Sequence, residues 1–369
     1  MSKICKIGNV VLLTFIILLS SCGGSNSAER TKLTPEQIDS KYSSGVVLIK
    51  NSFYYTISFG GGREFYFSGL DSDGNPQNLT MEPSEIVPAV AFGTGFFISK
   101  DGHIATNSHV SSPSIDVSSV RSKIIGAFSA MANEWTKEVN DLNERLGVLR
   151  VAILTADSYY DRQQYQQLYN QIEEERNSTQ KAINAVHSIG SMDYHATLYA
   201  NLGIAYNDTH VTSVSDFIDC VEVADDPQHD LAIIQLKSKT TPEKKHVFKI
   251  PSGKKATAGD DENSNSKKGV KVGKQLYMIV YNLGPALALT NEGVKAQITS
   301  GAVSQNTDDS KIMYSIPALH GSSGSPVIDE YGKLVAINFA GLDITQNFNY
   351  GIKVSHLKKL FNELKADND

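Results

Sequence analysis

The stretch Ala318–Asp329, with the sequence ALHGSSGSPVID, places a turn rich in serine and glycine directly before a short apolar strand. Glycine permits positive φ angles and lets the backbone come close to a bound molecule, so this composition favours a tight, sharply bent turn. Such a turn presents Ser323 as a candidate nucleophile. The alternative is a flexible loop in which Ser323 has no chemical role.

Two other stretches carry the partners that a nucleophilic serine requires. A serine hydroxyl needs a base within hydrogen-bonding distance, and a histidine base needs a carboxylate to hold its tautomer. GTGFFISKDGHIATNSHV, at Gly93–Val110, predicts two short strands joined by an Asp-Gly turn and contains His109. DDPQHDLAIIQL, at Asp225–Leu236, predicts a strand preceded by a turn and contains Asp230. The order along the chain is therefore His109, Asp230, Ser323.

Together the three stretches resemble the chymotrypsin-fold, trypsin-like serine peptidases, in particular the bacterial branch with the Deg (high-temperature-requirement) proteases and the glutamyl endopeptidases. The resemblance covers roughly Ser40–Val110 and Tyr194–Phe361. It implies a mainly β fold of two six-stranded antiparallel β-barrels. It also implies that His109 is the general base, Asp230 the carboxylate that orients it, and Ser323 the nucleophile.

The resemblance further implies an oxyanion hole formed by the backbone N–H groups of Gly321 and Ser323. Many trypsin-like enzymes have an aspartate before the nucleophile that pairs with a newly cut N-terminus, whereas this chain has Ser322. We therefore expect no activation by N-terminal cleavage. Deg proteases usually carry a peptide-binding PDZ domain after the barrels, and because the sequence ends at Asp369 we expect none here.

The resemblance also predicts which residues contact the substrate. The base of the primary pocket, the approach to the oxyanion turn and the wall strand are expected to be formed by Pro317, Ala318, His320, Asn338, Phe339 and Ala340. Neither Pro317 nor Ala318 is charged, so a preference for lysine or arginine is not expected. A small or medium apolar residue before the cleaved bond is the prediction.

Between residues 118 and 190 the apolar residues recur at steps of three and four, which predicts two long amphipathic helices. The segment TADSYYD predicts a turn between them, so we expect an antiparallel helical hairpin with a seam like that of a coiled coil. The first stripe is Ile124, Phe128, Met131, Trp135, Val139, Leu142, Leu146, Leu149 and Ile153; the weaker second stripe is Tyr165, Leu168, Ile172, Thr179, Ile183 and Val186. Two interpretations stay open: a rigid ornament, or an arm that binds a protein partner or a second copy.

The N-terminus predicts export. Two lysines precede an apolar run at Val10–Leu19, which is shorter than the ~20 residues that span a bilayer and is typical of a secretory signal. The sequence LSSC, ending at Cys22, resembles a bacterial lipobox, which implies cleavage before Cys22 and a lipid on its thiol. Gly23, the residue after that cysteine, then favours sorting of the lipoprotein to the outer membrane of the cell envelope. The alternative is a plain signal peptide.

Composition limits the remaining classes of function. The chain has 369 residues, of which 40% are hydrophobic and 20% charged, as in ordinary globular proteins, and its net charge of −6 gives no electrostatic support for nucleic-acid binding. Of the three cysteines, Cys5 leaves with the signal peptide and Cys22 carries lipid, so Cys220 has no disulfide partner. We expect no cofactor and no metal, because no Cys/His cluster has ligand spacing.

The expected segments are a lipoprotein signal peptide (1–21), a tether (22–32), the N-terminal barrel in two parts (33–117 and 191–240), the helical-hairpin insertion (118–190), and the C-terminal barrel with a terminal helix (241–369). The leading prediction is a serine endopeptidase that works through an acyl-enzyme. The alternative is a catalytically silent protein that uses the hairpin to bind a partner. An esterase of the α/β-hydrolase type is disfavoured, since that fold requires G-x-S-x-G and the order Ser, Asp, His.

Overall fold

Two antiparallel β-barrels form the body of the protein, and a long helical hairpin is inserted into the first of them. The computed structural model describes residues 31–60, 62–251, 270–306, 309–342 and 345–367. The predicted fold class, mainly β with two six-stranded antiparallel barrels and a helical insertion, is confirmed.

The strands of the first half are β1 (Val46–Phe59), β2 (Arg63–Phe67), β3 (Gly69–Leu70), β4 (Pro76–Gln77), β5 (Ala89–Phe97), β6 (His103–Thr106), β7 (Tyr194–Tyr206), β8 (Ile218–Asp226) and β9 (Leu231–Leu236). Those of the second half are β10 (Gln275–Val280), β11 (Leu289–Thr290), β12 (Gly293–Val294), β13 (Gln297–Asn306), β14 (Lys311–Tyr314), β15 (Pro326–Asp329), β16 (Leu334–Leu342) and β17 (Thr345–Lys353). The helices are α1 (Pro35–Tyr42), α2 (Ser108–Ser111), α3 (Val117–Thr155), α4 (Tyr159–Ile189), α5 (Pro285–Ala288) and α6 (Val354–Ala366).

The first barrel is closed by its longest strand. β1 has 14 residues and pairs with both β5 and β7, which completes the ring β1-β5-β6-β9-β8-β7. All six residues of β9 (LAIIQL) are buried, as expected for a short continuous apolar run inside a barrel. The core of this barrel includes Val47, Ile49, Phe97, Ile104, Ile204 and Ile234.

The second barrel closes as β10-β13-β14-β17-β16-β15 around Leu276, Met278, Val280, Val303, Ile312 and Val335. A third apolar cluster joins the two barrels and includes Val46, Phe96, Tyr281 and Ile337, with Leu357 and Phe361 of α6 packed against them. The two barrels therefore meet along an apolar seam, and residues on opposite sides of the seam are held at fixed distances.

The helical hairpin connects β6 to β7, with 39 residues in α3 and 31 in α4. The side chain of Asp116 accepts hydrogen bonds from the N–H groups of Ser118 and Ser119 and so caps α3. Ser158 caps α4 in the same way, by accepting from the N–H of Asp161. Each helix of the hairpin thus begins after a residue whose side chain satisfies free N–H groups of the first helical turn.

Two apolar contacts hold the hairpin, one to the barrel and one within itself. At its base, Ile124 and Ile189 pack with Phe65 of β2 and with other aromatic residues. Further along, α3 and α4 pack against each other through paired aliphatic side chains, among them Val139, Leu142, Leu146, Ile172 and Ile183. The predicted stripes supply most of these residues. Met131 is an exception, because it is exposed while its neighbour Ala132 is buried, and Tyr165 and Leu168 of the second stripe are exposed as well.

Residues 1–30, including Cys22 and the apolar run before it, lie outside the described residues. Within the part that is described, no helix is both long enough and apolar enough to cross a membrane.

Candidate active site

His109 and Asp230 form the first half of the site. His109 lies in the short helix α2, directly after β6, and Asp230 directly precedes β9, which pairs with β6. The Nδ1 atom of His109 lies 2.8 Å from Oδ2 and 3.0 Å from Oδ1 of Asp230. The backbone N–H of His109 donates to Oδ1 of the same carboxylate at 3.0 Å. Asp230 therefore fixes both the ring and the backbone of His109.

The backbone of Asp230 is itself held in a specific conformation. Its φ angle is +51°, a region that non-glycine residues enter rarely and aspartate more readily than most. The amide of Asn107 donates to the Asp230 carbonyl at 2.8 Å, which ties the turn before β9 to the end of β6. This bond keeps the carboxylate directed at His109.

The serine turn forms the second half of the site and depends on two glycines. Gly321 has a φ angle of +89° and Gly324 one of +86°. A Cβ atom on Gly324 would collide with the carbonyl of Thr94 and the hydroxyl of Thr106, so no other residue fits there without displacing the first barrel. The interpretation of a tight turn is thereby supported over that of a flexible loop.

Thr94 joins the serine turn to the first barrel. Its backbone N–H donates to the Ser323 carbonyl at 2.8 Å, and its hydroxyl donates to the Gly321 carbonyl at 2.8 Å. The hydroxyl also accepts from the N–H of Tyr281 at 3.1 Å. Thr94 was not singled out from the sequence, although it lies inside the GTG motif that precedes His109. Its role depends on contacts with residues more than 180 positions away, which the sequence pattern does not reveal.

The segment that carries His109 and the turn that carries Ser323 meet at Gly93. A Cβ atom on Gly93 would meet the side chain of Val110 on one side and the Ser323 carbonyl on the other. Among the described residues, no hydrogen bond joins the Ser323 hydroxyl to His109. In enzymes without substrate such bonds are often long and shorten when substrate binds.

The two candidate oxyanion donors are available. Neither the N–H of Gly321 nor that of Ser323 donates to another group within the described residues. The carbonyl of His320 accepts a hydrogen bond from the N–H of Leu283 at 2.6 Å, and that of Ser322 accepts from the Asn338 amide at 3.0 Å. The turn therefore offers two free N–H groups beside the serine, as an oxyanion hole requires.

The predicted substrate contacts are found in different surroundings. Pro317 and His320 are exposed near the turn, and Ala318 is partly buried against the core of the second barrel. Phe339 is half-buried, with the Lys311 ammonium 4.8 Å from its ring centre. Asn338 is 1% exposed and lies beneath the turn, bonded to it, so it has no free surface for substrate. Ala340 lies outside the residues whose side chains are described.

Groups of three or more histidine, cysteine or acidic side chains that could hold a metal ion do not occur among the described residues. Burial raises the pKa of the Cys220 thiol to about 12, so this cysteine is not a reactive thiolate at neutral pH.

Comparisons with known proteins give sequence matches to serine peptidases. A family model described as a trypsin-like peptidase domain matches residues 200–337, which include Asp230 and Ser323. The probable periplasmic serine endoprotease DegP-like of Bartonella henselae is 42% identical over 45 residues, which are 12% of this chain and 9% of that protein. The chain therefore spans only a small part of the curated relative that it matches.

Among solved structures, the serine endoprotease from Yersinia pestis aligns with 92% of this chain and 69% of its own, at 12% identity and a TM-score of 0.44.

Proposed function

We propose that this protein is a serine endopeptidase that hydrolyses peptide bonds of a protein or peptide substrate through an acyl-enzyme. One observation carries the proposal: the bonded His109–Asp230 pair lies beside a glycine-bent turn that offers Ser323 and two free N–H groups. The match to a trypsin-like peptidase domain supports it independently, since that match rests on sequence.

The residues would act in a fixed order. Nε2 of His109 accepts the hydroxyl proton of Ser323 as Oγ attacks the substrate carbonyl carbon. The carbonyl oxygen becomes an oxyanion and accepts hydrogen bonds from the N–H groups of Gly321 and Ser323. Asp230 stabilises the imidazolium, which then gives its proton to the leaving amine. Water, deprotonated by His109, attacks the acyl-enzyme, and Ser323 recovers its proton as the product acid leaves.

The substrate preference that we propose is a small or medium apolar residue before the cleaved bond. Pro317 and Ala318 bear no charge, and His320 stands exposed at the edge of the turn. Phe339 and Ala340 follow Asn338 on β16, where an extended substrate would pair with the strand. Cleavage of a randomised peptide library, followed by mass spectrometry, would reveal the preference.

We place the protein in the Deg-like bacterial branch, anchored to the cell envelope by a lipid on Cys22. The lipobox sequence and the periplasmic location in the relative's name support this assignment. Metabolic labelling with a palmitate analogue tests it, because Cys22→Ser should abolish incorporation while Cys220→Ser should not. Fractionation of the labelled cells then tests the outer-membrane location.

A second function has its own support in the hairpin. Five large apolar side chains near its tip, Val148, Val151, Leu154, Tyr159 and Tyr160, are between 60% and 76% exposed. Such a surface is typical of a contact with another chain. We propose that the hairpin also binds a protein partner or a second copy of this chain. Light scattering of the full chain and of Leu154→Ser/Tyr159→Ser tests self-association.

The first experiment is labelling of the full chain with a fluorophosphonate probe beside Ser323→Ala and His109→Ala. Labelling that disappears in both variants would support an assembled nucleophile. Absence of labelling in folded wild-type protein would favour the silent binding protein, provided that deletion of residues 118–190 does not restore it.

A further inference from the structure

A series of hydrogen bonds between buried side chains links the core of the second barrel to the turn that carries Ser323. Nδ2 of Asn338 donates to the carbonyl and to the hydroxyl of Ser322, both at 3.0 Å. Oδ1 of Asn338 accepts from the Tyr314 hydroxyl at 2.9 Å. Tyr314 is 0%, Asn338 1% and Ser322 5% exposed. Because an unpaired polar group is costly in a barrel core, a fully paired chain here defines one arrangement of the turn.

The donors and acceptors around Asn338 allow a single orientation of its amide. The Ser322 carbonyl can only accept, so the NH2 group must face it and the amide oxygen must face Tyr314. The Tyr314 hydroxyl then has to donate. Burial raises the pKa of Tyr314 well above its usual value, which agrees with a hydroxyl that keeps its proton and donates it to Asn338.

A glycine opens the path between the two side chains. Tyr314 on β14 and Asn338 on β16 are separated by β17, where Gly351 stands opposite Asn338 in the strand register. A Cβ atom on Gly351 would lie 2.9 Å from the Tyr314 hydroxyl oxygen and 3.0 Å from its ring. Only glycine therefore lets the ring cross β17 without displacement.

The bond from Asn338 acts on the direction of the next N–H group together with a second bond, in which the N–H of Ser325 donates to the same Ser322 carbonyl at 3.2 Å. The Ser322 carbonyl and the Ser323 N–H belong to one planar trans peptide and so point in opposite directions. With the carbonyl held down on Asn338, the Ser323 N–H is directed away from the core, and it meets no other described group. The bond from Leu283 to the His320 carbonyl directs the Gly321 N–H in the same manner.

We propose that Asn338, oriented by Tyr314, is a positioning residue that holds the Ser322–Ser323 peptide with its N–H toward the substrate oxyanion. The proposal rests on the proposed function of Ser323 as the nucleophile. We call Tyr314 and Asn338 the clamp, and both lie on strands of the second barrel. The turn is therefore kept in its working shape without any newly cut N-terminus, in accord with the serine at position 322.

Inactivation kinetics of the full chain with a fluorophosphonate test this role, because the phosphoryl oxygen occupies the oxyanion hole as the bond to Ser323 forms. In Asn338→Leu we expect the maximal inactivation rate to fall about 100-fold, the lower end of the loss for one oxyanion donor. In Tyr314→Phe, where the amide is present but no longer oriented, we expect an intermediate fall of about 10-fold. The half-saturating probe concentration should stay within about threefold, since the donor acts on the transition state.

Tyr42→Phe is the matched control, since it removes the hydroxyl of another buried tyrosine, 5% exposed, in α1. We expect its inactivation rate to equal that of wild type. A thermal melt of each variant separates a loss of fold from a loss of rate. If Asn338→Leu melts earlier but keeps the wild-type rate, Asn338 is only structural and the proposal is overturned; if that variant does not fold, Tyr314→Phe decides.

Crystal structures of wild type and both variants distinguish failure of the positioning role of Asn338 from failure of the proposed peptidase activity. If wild type is never labelled, the proposed function fails, and the clamp is judged by geometry alone. A Ser322–Ser323 peptide that turns over in a variant supports the clamp, and an unchanged peptide in both variants overturns it.

Discussion

Among the described residues, two histidine–aspartate pairs have hydrogen bonds of the same length, and their aspartates, Asp226 and Asp230, lie close together in the chain. Nδ1 of His109 lies 2.8 Å from Asp230, and Nδ1 of His229 lies 2.8 Å from Asp226. The side chains of Asp230 and Asp226 are equally exposed, at 22% each. The imidazoles differ: that of His109 is 47% exposed and that of His229 only 20%.

The difference lies in what surrounds the two imidazole rings. The ring of His229 is stacked on that of His356 in α6, with ring centres 3.9 Å apart and planes 25° apart. The ring of His109 is about half exposed, and the next residue, Val110, meets Gly93 together with the carbonyl of Ser323. A bonded carboxylate therefore orients an imidazole in both places, but only the imidazole of His109 belongs to a segment that meets the turn of Ser323, the proposed nucleophile. Hydrogen-bond length by itself does not identify a catalytic pair.

The largest expected difference is between the labelling rates of a variant without His109 and a variant without His229. We expect His109→Ala to lower the rate of fluorophosphonate labelling at Ser323 by about 10⁵-fold or more, as when a member of a catalytic triad is deleted. His229→Gln should leave the rate within about threefold of wild type. A large loss in His229→Gln with an unchanged melting temperature would show that the second pair takes part in the reaction.

The next largest change in labelling rate is expected when the two carboxylates are substituted. Asp230→Asn should lower the rate by about 10⁴-fold, since an amide can hold the ring but cannot favour the correct tautomer or stabilise its charge. Asparagine also tolerates the positive φ angle at this position, so the fold should be kept. Asp226→Asn is the matched control with an expected change below about threefold, and equal losses in both variants would contradict the distinction between the pairs.

The smallest expected effect concerns stability and pH at the second pair. Burial lowers the pKa of His356 from its ordinary value of 6.5, and the neighbouring His229 lowers it further. Asp226 and the backbone at Asp309 act in the opposite direction, while Lys359 adds to the lowering. The folded state therefore binds this proton less readily than the unfolded state, and stability is lost as the pH falls below 6.5.

Melting temperatures of wild type and His356→Gln between pH 7.5 and 5 test this expectation. The acid-induced decrease should be smaller in the variant, because glutamine takes up no proton in either state. Parallel curves for the two proteins would show that His356 does not contribute to acid sensitivity.

Much of the fold followed from local patterns. The strands of both barrels contain short apolar runs between turn residues, and the helices of the insertion carry apolar residues at steps of three and four. The prediction that Met131 is buried was wrong by one position. Helix periodicity indicates which face of a helix is apolar, but tertiary contacts determine which of two neighbouring residues is buried. Ala132, which is small, fits where α3 meets α4.

Asn338 shows where a pattern is insufficient. It was predicted to form the pocket wall, whereas the structure places it under the turn. Side chains of a strand alternate between two faces, and a change of register on β16 between Asn338 and Ala340 alters which face follows. Neither the bulge nor the ring of Tyr314 that reaches Asn338 has a signal in the sequence.

The sequence by itself determined the order His109, Asp230, Ser323, the glycine-bearing turn and the helical insertion, because each depends on residues that are neighbours in the chain. Only the tertiary structure decided which imidazole stays open, which carbonyls are held at the turn, and that Thr94, Leu283 and Asn338 hold them. Those contacts join residues that are between 16 (338 − 322) and 229 (323 − 94) positions apart. They exist only once two barrels have closed and packed together, and local chain preferences do not specify such distances.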